Sequence, residues 1–164
     1  PSAFSNFMTL VGIRGGGDGE RAELTRLLLG ELKTRGRSAS VLAYAGASAD
    51  IDIPGKDSYE HRRAGAHEVL AVSRLRWALV HETPEAETSA RPEFDVLLAR
   101  LAPVDYVLAP GHPDGTEISL DLQAGGGSLE ASCGDGPATV FHLDMAEKIA
   151  DFIVTSPANK HPIT

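Results

Sequence analysis

The sequence is poor in cysteine, in basic residues and in long apolar stretches, and each shortage excludes a class of protein. Cys133 is the only cysteine among 164 residues, which excludes an internal disulfide and a multi-cysteine zinc site and suits a reducing cytoplasm. The 15 Lys and Arg against 23 Asp and Glu give a net charge of −8, so a nucleic-acid binder with a basic surface is not expected. No apolar run approaches the roughly 20 residues of a membrane span.

What remains is the composition of a globular domain. With 42% hydrophobic residues, a chain of this length buries a substantial core. We expect one domain over residues 8–155, a disordered or expression-derived leader over 1–7, and a flexible tail over 156–164.

The first 45 residues have the pattern of a βαβ unit. The apolar run MTLVGIR, residues 8–14, ends in glycines. Leu24, Leu27, Leu28 and Leu32 then fall on one face of a helix, and SASVLAYA, residues 38–45, restores a strand pattern. This order predicts an α/β fold with a mostly parallel sheet flanked by helices.

Further elements follow along the chain. They are a short helix with capping-box spacing at Asp57 and Glu60, strands over 68–73 and 76–82 joined by a tight turn, a helix opened by Pro92, strands over 104–110 and 117–122, and a last helix with capping-box spacing at Asp144 and Glu147. The alternation within 117–122 favours an edge or antiparallel strand, so the sheet is expected to allow antiparallel strands at an edge.

The stretch GGGDGERAEL, residues 15–24, lies where a phosphate-binding loop would lie, between a strand and a helix. Aligned with G-x-x-x-x-G-K-[ST] from Gly15, the chain has Glu20, Arg21 and Ala22 at the last three positions. Glu20 would bring a carboxylate close to phosphate oxygens, Ala22 lacks the hydroxyl that would hold Mg²⁺, and Arg21 keeps the charge in a bulkier group. Taken alone, the stretch favours a glycine-rich turn without nucleotide.

The stretch DIPGKDSYEHRRAGA, residues 52–66, concentrates polar and cationic groups in an acidic chain. The candidates for binding an anion or a cofactor are Gly55, Lys56, Asp57, Ser58, His61 and Arg62. Lys56 and Arg62 would pair with negative charge, and Ser58 would donate a hydrogen bond. An equally open interpretation is a Pro-Gly turn followed by a helix that Asp57 caps, with solvated charges.

Together with SRLRWALVHETPE from residue 73, this stretch resembles the signature of the MobB family, the molybdopterin-guanine dinucleotide biosynthesis proteins B. The resemblance covers nearly the whole chain after Met8. It implies a P-loop NTPase-like fold, a homodimer, binding of GTP or molybdopterin guanine dinucleotide, and an accessory role beside the molybdenum cofactor guanylyltransferase or a molybdoenzyme. The phosphate-binding residues that it implies are Gly15, Gly16, Gly17, Gly19 and Arg21.

The chain departs from the family pattern at three places, of which the glycine stretch is the first. The family usually has Lys-His and further His after the second strand, where this chain has Ala43, Tyr44, Gly46 and Ala47. Pro110 stands where the family usually has an acid that would help a metal or a water beside the γ-phosphate. We therefore expect weak or no hydrolysis, no catalytic residue, no metal site and no firm Mg²⁺ binding. A nucleotide-free scaffold that binds a molybdoenzyme or its maturation machinery is the alternative.

Overall fold

The computed structural model describes residues 7–44, 51–82, 94–111, 115–157 and 161–162. The chain divides into two compact units, Pro1–Tyr44 with Phe94–Thr164, and Ala45–Glu93. In chain order the elements are β1 (Phe7–Gly15), α1 (Asp18–Thr34), β2 (Ala39–Val41), α2 (Asp57–Arg63), β3 (Glu68–Val72), β4 (Trp77–His81), α3 (Phe94–Leu98), β5 (Tyr106–Pro110), β6 (Ile118–Leu122), β7 (Ser128–Cys133), β8 (Thr139–His142), α4 (Ala146–Thr155) and β9 (His161–Pro162).

The first unit is built on a sheet with the strand order β2-β5-β1-β6-β7-β8, and β9 pairs with β1. The four strands β2, β5, β1 and β6 are parallel to one another. Strands β7 and β8 add antiparallel pairs at one edge. The predicted α/β fold, mostly parallel and with antiparallel strands at an edge, is confirmed.

Alternation along β1 places the core on both faces of this sheet. Val11 and Ile13 belong to the larger buried cluster, which also contains Leu28 of α1 and Ile149 of α4. Leu10 belongs to a smaller cluster that contains residues of α3. Because successive side chains of a strand point to opposite faces, one apolar strand supplies both layers. The helical face predicted for α1 is confirmed, since its leucines 24, 28 and 32 are buried and Leu27 is half-buried.

Arg35, the C-cap of α1, connects this helix to α4. Its guanidinium donates to Glu31 Oε2 at 2.6 Å and to Asp151 Oδ1 at 2.8 Å, and it also donates to the backbone oxygen of Glu147. The hydrogen bonds to Glu31 and then to Asp151 raise the pKa of Arg35 above its ordinary value. A cation at the end of α1 also interacts favourably with the helix dipole.

Several predicted details of this unit are wrong. Of the two alternatives for 117–122, the edge strand is wrong, because β6 pairs with β1 on one side and β7 on the other, and the antiparallel strand is confirmed by the pairing with β7. β7 and β8 were not predicted, and β2 is shorter than 38–45. Asp144 does not cap α4, whose N-cap is Met145; the Asp144 carboxylate instead pairs with His142 Nδ1 at 2.9 Å.

The second unit holds α2 and the β3–β4 hairpin. The predicted hairpin is confirmed, with Val69 opposite Val80 and a turn in which the Ser73 N–H donates to the Arg76 oxygen at 2.7 Å. Helix α2 begins at Asp57, so Lys56, not Asp57, occupies the N-cap position. The capping role predicted for Asp57 is therefore wrong.

Some sequence predictions concern positions outside the described residues. They include the leader apart from Phe7, the positions 46, 47 and 92, and the tail at 158–160 and 163–164. Within the rest of the expected tail, His161 pairs antiparallel with Met8.

Candidate functional site

The glycine loop, residues 15–17, joins the carboxyl end of β1 to α1. The ends of two neighbouring strands lie beside it, because Ile13 pairs with Pro110 of β5 and Gly15 with Leu122 of β6. Gly15 has φ +68°, and a Cβ there would lie 2.2 Å from the Leu122 carbonyl oxygen. The backbone path therefore requires glycine at this position. The strand, loop and helix context that phosphate binding needs is present.

The carboxylate of Glu20 occupies the donor that the loop would offer to an anion. Its Oε2 accepts a hydrogen bond of 2.7 Å from the Gly17 N–H. Gly17 is the N-cap of α1 and Glu20 is the third residue of the helix, so this contact is one half of a capping box. The same oxygen lies 2.9 Å from the position that a Cβ on Gly16 would take. The loop thus holds an anion that the chain itself supplies.

Arg21 is also engaged within the loop. Its Nη1 donates to the carbonyl oxygen of Gly15 at 2.6 Å and to that of Gly16 at 2.8 Å. Its other terminal nitrogen pairs with the Asp18 carboxylate. The Arg21 side chain is 19% exposed, so most of it is covered by these contacts. The hydrogen bonds from this guanidinium stabilise the conformation of the loop backbone.

A second glycine turn adjoins the first. Between β6 and β7, Gly125, Gly126 and Gly127 all have positive φ. A Cβ on Gly126 would lie 3.3 Å from Glu20 Oε1, tighter than ordinary van der Waals contact. The structure brings this turn to the carboxylate that also occupies the glycine loop.

The remaining positions of the phosphate-binding pattern, and Pro110, lie outside the glycine loop. Gly19 lies in the first turn of α1, where a Cβ would meet nothing within 4 Å. Ala22 is exposed on α1. Pro110 ends β5, and its carbonyl oxygen accepts the Tyr44 N–H at 3.3 Å. Position 110 therefore has a proline ring, which carries no titratable group. It lies beside β1, the strand that leads into the glycine loop.

In the second unit, the predicted anion-binding residues lie in the turn before α2 and along this helix. Gly55 has φ +82°, which suits the turn before the helix. Lys56 is exposed at the N-cap position, and Asp57 is the first helical residue. Ser58 is half-buried, while His61 is exposed.

Arg62 has a structural environment that the sequence did not indicate. Its Nε lies 3.3 Å from Asp52 Oδ2, and its Nη1 lies 3.2 Å from Glu82 Oε2. The guanidinium carbon also lies 5.0 Å from the centre of the Tyr59 ring. The side chains of Arg62 and Asp52 are only 16% and 8% exposed. These contacts join the segment before α2, the helix itself and the end of β4.

These environments predict different effects for the two cations of the stretch. Replacing Arg62 by Met should lower the stability of the protein by about 1–2 kcal/mol, because the buried Asp52 carboxylate loses a cationic partner. Lys56→Met is the matched control and should change stability by less than about 0.5 kcal/mol, since Lys56 is exposed. Urea unfolding measures both, and hydrogen exchange of the β3–β4 amides locates the effect. Equal stabilities for the two variants would contradict the role assigned to Arg62.

Two features are absent from the described part of the chain. No group of three or more His, Cys, Asp or Glu side chains there is arranged to hold a metal ion. No helix there is both long and apolar enough to cross a membrane.

Sequence reasoning missed the residues that pair with the predicted site residues. Asp52 lies ten positions before Arg62 and Glu82 lies twenty after it, and no local pattern links such positions. Glu20 was identified only as a repulsive charge. Its spacing of three from Gly17 is a capping signal, which could have indicated the hydrogen bond.

Comparison with known proteins yields one family. The profile of MobB, described as molybdopterin guanine dinucleotide synthesis protein B, matches residues 7–122. A molybdopterin-guanine dinucleotide biosynthesis adapter protein of Escherichia coli K12 is 30% identical over 151 residues, covering 82% of this chain and 85% of that protein. A Haemophilus influenzae protein of the same name is 32% identical over 81 residues, covering 49% of this chain and 46% of that protein.

The same likeness holds at the level of structure. A crystal structure of molybdopterin-guanine biosynthesis protein B superposes with a TM-score of 0.62 at 20% sequence identity. The match covers 89% of this chain and 97% of the other. At this identity the superposition shows a shared fold.

Proposed function

Because this chain belongs to the molybdopterin guanine dinucleotide synthesis protein B family, we propose that it is an adapter in molybdenum cofactor biosynthesis that acts through protein contact without hydrolysing a nucleotide. The observation that carries the proposal is the occupied glycine loop. Glu20 takes the Gly17 N–H, and Arg21 binds the loop carbonyls. The partner is the molybdenum cofactor guanylyltransferase or a molybdoenzyme, and the compartment is the cytoplasm, which suits a chain with one cysteine.

The adapter role is tested with purified components. Size-exclusion chromatography with the guanylyltransferase should give a complex, and the chain should raise the yield of molybdopterin guanine dinucleotide in a coupled assay. Replacing GTP by the non-hydrolysable analogue GMPPNP in the binding mixture should not diminish formation of the complex. If the chain forms no complex with the guanylyltransferase and none with molybdoenzymes, the adapter role is refuted.

Hydrolysis is expected to be absent. The protein incubated with GTP and Mg²⁺ should release phosphate no faster than the buffer, because position 22 carries no hydroxyl for the metal and position 110 no carboxylate. A phosphate-release assay measures the rate. Mg²⁺-dependent turnover that disappears in Arg21→Ala would contradict this prediction.

A second candidate function is binding of a guanine nucleotide or of the pyrophosphate group of a molybdopterin nucleotide. It is favoured by the retained backbone of the glycine loop, in which Gly15 and Gly16 have φ +68° and +56°. Arg21 is the cation that we propose for the phosphates at this loop, with Mg²⁺ contributing little. Calorimetric titration with GTP, GDP and molybdopterin guanine dinucleotide, with and without Mg²⁺, tests it.

We also propose that the chain is a homodimer in which the β3–β4 hairpin meets its counterpart. One face of the hairpin consists of Leu70 opposite Leu79 and Val72 opposite Trp77. All four side chains are exposed, Val72 at 73% and Trp77 at 68%. A two-stranded ribbon is marginally stable by itself, and these four side chains form an apolar patch that is complementary to a copy of itself. The Glu68–His81 pair lies at the end of the same face. The second copy is thus the occupant that fits this face.

A further inference from the structure

The apolar patch of the β3–β4 hairpin lies between opposite charges at the two ends of the hairpin. Glu68 and His81 form the cross-strand pair at the open end, and Glu68 Oε1 lies 2.8 Å from His81 Nδ1. At the other end, the turn carries the exposed arginines Arg74 and Arg76, with Leu75 between them exposed at 82%. The hairpin therefore has a carboxylate at one end of the patch and two guanidinium groups at the other.

The spacing along β3 places these two charges at equal distances from the centre of the patch. Side chains on one face of a strand recur every two residues, so Glu68 is followed on this face by Leu70 and Val72. Arg74 follows Val72 by the same step. The centre of the patch lies midway between positions 70 and 72, as far from position 68 as from position 74. A half-turn about this centre therefore exchanges the place of Glu68 with that of Arg74.

Two copies that meet through this face are related by a two-fold axis in the plane between them. If the axis runs across the strands, the hairpins are antiparallel, position 70 of one copy lies over position 72 of the other, and position 68 lies over position 74. If the axis runs along the strands, the two tips lie together and gather four guanidinium groups at one end of the dimer. Like charges that meet across an interface disfavour that arrangement, and opposite charges fix the orientation of the partners.

The Glu68 carboxylate has capacity for an additional partner. Its side chain is 40% exposed although it pairs with His81. The two oxygens of a carboxylate offer about four acceptor positions. Glu82, the neighbouring carboxylate at this end of the hairpin, pairs instead with Arg62 at 3.2 Å. Glu68 is thus the carboxylate that borders the apolar patch and that an arginine of a second copy would meet.

We infer that the two hairpins of the homodimer pack antiparallel, with Arg74 of each copy bound to Glu68 of the other copy. The inference rests on the proposed homodimer and adds to it the orientation of the two copies and the polar contacts at both ends of the interface. Because the interface is isologous, the contact occurs twice. The apolar patch drives the association, and the charges exclude the arrangement in which the tips lie together.

Charge reversal distinguishes the two orientations by the sign of its effect. Arg74→Glu should weaken the dimer about tenfold at low ionic strength, because a carboxylate then meets Glu68 at both ends of the interface. In a dimer with adjacent tips the same substitution would strengthen association, since it introduces two carboxylates among the arginines. Arg74→Glu combined with Glu68→Arg should restore the affinity. Arg63→Glu is the matched control, because Arg63 is exposed on α2, and it should leave the dimer unchanged. Sedimentation equilibrium measures all four variants.

Disulfide formation between copies reports the orientation directly. With Cys133→Ser as the background, an oxidised mixture of the Leu70→Cys and Val72→Cys chains should give a covalent dimer. A mixture of Leu70→Cys and Leu79→Cys should not, because position 70 lies over position 79 of the other copy only when the tips are together. A disulfide requires the two Cβ atoms to lie within about 4 Å, which makes the comparison selective.

The outcomes separate this inference from the homodimer on which it rests. A covalent dimer from the Leu70→Cys and Leu79→Cys mixture alone, or an Arg74→Glu dimer as tight as the unaltered one or tighter, would overturn the antiparallel orientation and leave the homodimer intact. An unaltered chain that sediments as a monomer at every concentration would overturn both.

Discussion

Replacing Gly15 by Ala is expected to destabilise the protein by about 3 kcal/mol or more. A Cβ at this position would lie 2.2 Å from the Leu122 carbonyl oxygen, and φ is +68°. The left-handed backbone costs an L-residue about 1–2 kcal/mol, and overpacking adds about 1–3 kcal/mol. The obstacle is backbone, and the register of β1 with β6 fixes Leu122 opposite Gly15, so neither side can move easily. Thermal unfolding should show a midpoint lowered by about 10 °C.

Gly19→Ala is the control for this substitution. Gly19 lies only four positions further on, but its Cβ would meet nothing within 4 Å and it lies in α1. Alanine should therefore be neutral or stabilise by about 0.5 kcal/mol, because glycine is a poorer helix former. If both variants lost the same stability, the close approach of β6 to Gly15 would not be the cause.

Replacing Trp77 by Glu is expected to weaken the proposed homodimer by about 100-fold or more. Trp77 is 68% exposed opposite Val72, and removing a tryptophan from the centre of an interface commonly costs more than 2 kcal/mol. A carboxylate at this position would also have to be desolvated against its own copy. Sedimentation equilibrium over a range of concentrations measures the dissociation constant. Unfolding of the monomer should change by less than about 0.5 kcal/mol, since the side chain is exposed.

Val96→Glu is the matched control in the other unit. Val96 is 52% exposed on α3, so the substitution places the same charge on an exposed apolar position outside the hairpin. Its dimer should be unchanged. A dimer that persists in Trp77→Glu, or a chain that is monomeric throughout, would contradict the proposal that the hairpin joins two copies.

The fold was predictable where a local pattern has one physical solution. A period of 3.6 with Leu24, Leu28 and Leu32 on one face has no stable arrangement except a helix packed on a core. The apolar run before the glycines is a buried strand for the same reason, and the two strands over 68–82 are too close in sequence for any connection but a tight turn. These elements needed no knowledge of their neighbours.

Strand order and helix caps were less predictable. The alternation of 117–122 is that of a strand with two unlike faces, and it does not reveal that β1 lies beside it. Capping-box spacing at Asp144 and Glu147 is compatible with more than one starting residue, and in the structure His142 holds the Asp144 carboxylate instead. Each of these choices depends on a neighbour that is distant in sequence.

By itself the sequence determined the α/β class, the family signature and the departures from the phosphate-binding pattern at positions 20 and 22, because these follow from residue types and their spacing. Only the tertiary structure decided what the charges of the two polar stretches do. Glu20 takes the Gly17 N–H, Arg21 binds the loop carbonyls, and Arg62 pairs with Asp52 and Glu82. A charged side chain has the same residue type whether it faces a ligand or a partner in its own chain. Its role depends on the groups that folding brings within about 3 Å, where hydrogen bonds form.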